Sequence, residues 1–87
     1  MPDVDPIEAL VRRFPERARS IRRLQAEDAS FRAICEDYAE ALRALEHWQA
    51  ADDSSRKKAE EYRGLVKELE DEAVAALKAY ENDSKRP

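Results

Sequence analysis

Glycine is almost missing from this 87-residue chain, with Gly64 its single instance, and cysteine, histidine and tryptophan occur once each as Cys35, His47 and Trp48. With so little glycine there is no loop in which backbone amides cradle a phosphate, and one His with one Cys makes neither a metal-ligand cluster nor a nucleophile–base pair. A lone cysteine cannot close an intramolecular disulfide, which fits a reducing compartment. No apolar run approaches the roughly 18 to 20 residues that cross a bilayer. The opening MPDVDPIEAL lacks the basic flank and apolar run of a secretory signal. These absences lead to the expectation of a cytoplasmic, non-enzymatic protein with no metal, no cofactor and no membrane contact.

What is present speaks for helices. Charged residues make up 41% of the chain, and Ala, Glu, Leu, Arg and Lys dominate, the balance of long helices rather than of sheets. A net charge of −4 argues against nonspecific attraction of the whole molecule to nucleic acid or anionic lipid. Chains of this length bury only about 60% of the surface their unfolded form exposes, so help from a second chain is expected.

Boundaries follow from proline, capping and periodicity. Asp5-Pro6 reads as an N-cap with proline at the first helical position, starting a short helix over 6–13. Phe14 precedes Pro15, which pushes it out of the α region, and a second helix is expected over 15–26. Apolar residues then recur in steps of three and four at Ile21, Leu24, Phe31, Cys35, Tyr38, Leu42 and Leu45, the spacing of a helix–helix seam that Asp28 interrupts. An aspartate facing a seam is costly, whereas the same carboxylate accepting backbone N–H groups at a helix start is favourable, so Asp28 is expected to cap a helix over 29–50 at a bend. The Asp and Ser residues of 52–55 mark a turn. Ala59, Tyr62, Val66, Leu69, Ala73, Ala76 and Tyr80 repeat the stepping over a helix at 55–81, and a disordered tail is expected over 82–87.

Folding the chain back about residue 52 sets Cys35 opposite Leu69, Tyr38 opposite Val66 and Leu42 opposite Tyr62, a plausible seam. It also sets Arg32 near Asp71 and Glu72, Arg43 near Glu60 and Glu61, and Glu46 near Lys57 and Lys58. A second stripe, Ile34, Ala41 and Trp48 with Leu65 and Leu77, falls beside this seam. Burying a large apolar side chain contributes roughly 1.5 to 3 kcal/mol, so the stripe is expected to be covered by a second copy. The resulting fold class is all-α: an antiparallel helical hairpin preceded by one or two short helices, dimerising into a four-helix bundle.

Local chemistry mostly has a structural reading. His47 suits the carbonyl end of a helix, Cys35 a buried seam position, and Glu68, Glu70, Asp71 and Glu72 a solvated face rather than a cation site, because they wrap round the helix. The arginines are more distinctive. Arg12, Arg13, Arg17, Arg19, Arg22 and Arg23 crowd one stretch with Glu16 as its only acid. Arginine forks suit phosphate and carboxylate. A solvated face with ion pairs such as Arg23 to Glu27 and Arg22 to Glu81 is the preferred reading, since no aromatics for base stacking are interleaved. A phosphate or nucleic-acid contact is the alternative.

The segment FPERARSIRRLQAEDASFRAI, the central Tyr38, LEDE at 69–72 and the apolar helical end at Leu77 resemble the short bacterial YdcH-like proteins, over about residues 14–78. That family shows a Phe-Pro-Glu start, an Ile-x-x-Leu helix, an Asp-Pro-x-Phe step and a second helix with Leu-Lys-Asp-Glu. Here Ala29 stands at the proline and Glu70 at the lysine. The resemblance implies a short helix joined to a helical hairpin, in a family without an established biochemical activity. The expected role is therefore that of a self-associating interaction or adaptor protein with an unknown protein partner.

Overall fold

The computed structural model of the chain describes residues 6–50 and 56–84, and every one of them is helical except Phe14 and Asp28. Helix α1 spans Pro6–Arg13, a 3₁₀ turn spans Pro15–Arg17, α2 spans Ala18–Glu27, α3 spans Ala29–Ala50 and α4 spans Arg56–Ser84. The expected Asp5 cap, the turn at 52–55 and the tail beyond 84 lie outside the described residues.

Each break has a local cause. Phe14 sits at φ −129° and ψ 67°, outside the helical region, as its proline neighbour requires. Its amide still donates to the Leu10 carbonyl at 2.9 Å and its carbonyl accepts from Arg17 at 2.9 Å. This i to i+3 closure makes 15–17 a 3₁₀ turn, so the single helix expected over 15–26 is instead a turn followed by α2. Asp28 lies in the extended region at φ −129° and ψ 112°. Its Oδ1 accepts from the amides of Ser30 at 2.8 Å and Phe31 at 3.3 Å, which caps α3, while its own amide donates to the Leu24 carbonyl at 2.8 Å and closes α2. One residue thus ends one helix and starts the next.

Helix α3 packs along α4. Lys58 lies over the Trp48 ring at 5.8 Å, Tyr38 Oη donates to Glu70 at 2.8 Å, and Tyr80 Oη of α4 reaches Glu27 at the end of α2 at 3.5 Å. Rising numbers on one side therefore meet falling numbers on the other. The register differs from the simple mirror: Tyr38 Oη reaches one turn beyond Val66, and Lys58 faces Trp48 rather than Glu46. The midpoint between Ala50 and Arg56 is 53, not 52, and both contacts lie further toward the C-terminus than the mirror places them. Helix α4 also continues through Asn82, Asp83 and Ser84, where a disordered tail was expected. Asn and Asp have low helix propensity, but one turn at the end of a 29-residue helix tolerates it.

The core runs through all four helices. Leu10, Ile21, Cys35, Ala73 and Leu77 are fully buried, and Ile7, Phe31, Tyr38 and Ala41 nearly so. Ile7 and Leu10, one turn apart on α1, supply apolar cover from a helix that lies outside the expected seam. The radius of gyration is 14.5 Å, against about 12 Å for a rounder domain of this length, because the long α3 and α4 are flanked by shorter helices.

Two substitutions probe this arrangement. Asp28→Ala is expected to cost about 1 kcal/mol through loss of the α3 cap, read as a lower urea midpoint. Leu77→Ala is expected to cost about 2 to 5 kcal/mol, whereas Leu65→Ala stays within about 0.5 kcal/mol; equal costs at the two positions would contradict their different burial.

Candidate functional site

The polar centre of the molecule is Glu70. Its Oε2 accepts from Tyr38 Oη of α3 at 2.8 Å and from Arg13 Nε of α1 at 3.1 Å, and its side chain is only 15% exposed. Arg13 also stacks on Phe14, 4.8 Å from the ring centroid. Burial, then the hydrogen bond to Glu70 and its charge, push the Tyr38 phenol well above its usual range, with Arg13 acting weakly in the opposite sense. A neutral phenol donating to a carboxylate that a guanidinium already holds is a closed structural network. Glu70 therefore leaves the solvated acidic face expected for 68–72: α1 brings a cation over it, and Tyr38 meets it through the core. Nothing in the seam pattern distinguishes Glu70 from its neighbours, and the single hint was a buried tyrosine hydroxyl in need of an acceptor.

The six arginines divide. Arg13 pairs with Glu70, and Arg17 Nη1 pairs with Glu81 at 2.6 Å, half-buried on both sides. Arg12, Arg19, Arg22 and Arg23 are exposed and form no ion pair among the described residues. The expected Arg22–Glu81 and Arg23–Glu27 pairs are absent, because Arg17 takes Glu81 and Tyr80 takes Glu27. Arg32 likewise turns to the Gln25 carbonyl at 3.1 Å instead of Asp71 or Glu72, bracing the Asp28 junction. On α2, Arg19, Arg22 and Arg23 stand at i, i+3 and i+4, on the face opposite buried Ile21 and Leu24.

The apolar stripe also divides. Leu77 is fully buried and Ala41 is 3% exposed, so both belong largely to this chain's own core rather than to a free surface. The expectation for Leu77 is corrected accordingly: it is a core position, in a core that α2 extends by packing on α4. Ile34 and Trp48 are half-buried, and Leu65, at 41%, is the exposed large hydrophobic residue among the described ones. Leu65 lines a groove between α3 and α4 together with Ala44, Tyr62 and the edge of Ala41, rimmed by Asp37 and Glu40.

Of the other candidates, Cys35 is buried and outside any disulfide, and His47 meets Trp48 edge to face at 5.0 Å on the last turn of α3. Among the described residues no group of three or more His, Cys, Asp or Glu side chains is placed to hold a metal ion, and no helix is long and apolar enough to cross a membrane.

Compared with known proteins, the chain matches no family model, no curated protein and no solved structure.

The Glu70 network has a pH signature. Tyr38 has a folded-state pKa above its unfolded value near 10, so its contribution is complete below about pH 10 and is lost as the pH rises from there toward the folded-state pKa. Tyr38→Phe is expected to cost about 1 to 2 kcal/mol at neutral pH, and its gap to the parent chain, measured by urea unfolding, is expected to narrow above about pH 10. A gap that stays constant through alkaline pH would show that Tyr38 ionises as freely in the folded chain as in the unfolded one.

Proposed function

We propose that this chain is a non-enzymatic interaction protein: a helical hairpin of α3 and α4, braced by α1 and α2, that pairs with a second copy and presents a helical face to another protein. The observation that carries this reading is the groove around Leu65, an apolar patch left open on the flank of α3 and α4 while α1 and α2 supply the rest of the core's cover. A second hairpin laid on that flank, over Ile34, Trp48 and Leu65, completes a four-helix bundle. A cytoplasmic setting and kinship with the YdcH-like proteins are consistent with this proposal, resting on the sequence features that suggested them.

A second reading is supported by four exposed arginines. Arg12, Arg19, Arg22 and Arg23 form no ion pair among the described residues, which suits a phosphate-bearing partner such as nucleic acid.

Sedimentation equilibrium at micromolar concentration tests the first reading: a dimer is expected, with Leu65→Glu shifting the chain to monomer at unchanged helix content. A monomer across the accessible concentrations would overturn it. For the second, titration of labelled single-stranded and duplex nucleic acid at low salt is expected to show salt-sensitive binding that Arg19→Glu and Arg22→Glu abolish. No binding at low salt removes it.

A further inference from the structure

Two surfaces of opposite sign are left unsatisfied by the fold. The first is the exposed face of α2, where Arg19, Arg22 and Arg23 stand beside Ala26 at i, i+3, i+4 and i+7 with no carboxylate paired to them among the described residues. The second is the rim of the Leu65 groove, where Asp37 and Glu40 are exposed and likewise form no ion pair among the described residues. If two copies met groove to groove alone, each acidic rim would come near its own duplicate, and like charges close together oppose association.

We infer that the acid-rimmed groove of one copy receives the arginine face of α2 from a second copy, with Arg19, Arg22 and Arg23 set against Asp37 and Glu40. This rests on the self-association proposed above and names α2 of the second copy, in place of its α3–α4 hairpin, as what covers the groove. The chemistry suits both parts of the groove. Arginine carries a long aliphatic stem below its charged head, so the stems cover Ala44 and Leu65 while the guanidinium forks reach the rim carboxylates. The exposed Ala26 adds a small apolar contact without bulk that would hold the helices apart. Guanidinium is also weakly hydrated, so bringing it to a partly apolar groove costs less than it would for lysine, and α2 contains no lysine.

Charge reversal with rescue tests the pairing. R19E/R22E/R23E and D37R/E40R each place like charges on both surfaces, and each variant alone is expected to associate at least about tenfold more weakly than the parent chain by sedimentation velocity. An equimolar mixture is expected to restore association, because every surface then has a complement. This rescue also excludes misfolding as the cause of the single losses. Added salt is expected to weaken the parent assembly by screening attraction, whereas a contact between two acidic rims is strengthened by salt. If the parent chain associates and R19E/R22E/R23E associates equally well, self-association stands and this inference falls, with the arginines left to a nucleic-acid contact. A parent chain that stays monomeric overturns both.

Discussion

One carboxylate oxygen holds the arrangement together. Glu70 Oε2 takes a hydrogen bond from Tyr38 on α3 and another from Arg13 at the end of α1, so three helices meet on a side chain that is nearly withdrawn from water. A buried carboxylate with one partner is costly, whereas one with a charged and a neutral donor is satisfied. That condition fixes the position of α1. With Arg13 anchored, Ile7 and Leu10 fall onto the core and are buried, and the chain leaving Phe14 runs on into α2, whose start is held to α4 by Arg17 and Glu81. The short helices therefore act as a third layer without which the apolar face of α3 and α4 would be open on both flanks.

This third layer explains which features were legible in the sequence. The helix starts at Pro6 and Ala29 and the seam positions Ile21, Leu24, Phe31, Cys35 and Tyr38 can be read from spacing, because periodicity reports which face of a helix is apolar. Asp28 was readable for a different reason: a polar residue in an apolar register has one inexpensive solution nearby, which is to cap the helix that follows. Leu77 and Glu70 were not readable in this way. Periodicity names the apolar face but not what covers it, and Glu70 takes its cation from Arg13 on α1, more than 50 positions away along the chain. The register was displaced for a plainer reason, since mirror symmetry depends on the centre of the connection: a shift of one residue there moves a partner by two, as for Trp48 and Lys58, and the long Tyr38 side chain reaches further still, to Glu70.

The junction at Asp28 shows how a bend can form without proline. A proline at position 29 would end the preceding helix by steric exclusion. Here the break persists with alanine, because the carboxylate of Asp28 supplies two amides with an acceptor and Arg32 braces the Gln25 carbonyl across the gap. Capping and exclusion are thus alternative physical routes to one bend.

Charge is distributed by the same geometry. Arg13 and Arg17 face α4 and are consumed by Glu70 and Glu81, while Arg19, Arg22 and Arg23 follow the outer face of α2 and form no ion pair among the described residues. A helix of ten residues with a buried side at Ile21 and Leu24 must present its remaining residues to solvent, and here three of those are arginine. Their count exceeds what solubility requires in a chain already at −4. Surface ion pairs within a chain contribute little to stability, so leaving both this cationic face and the anionic groove rim without internal partners costs the fold almost nothing. The proposed contact between two copies rests on these two surfaces being complementary in charge.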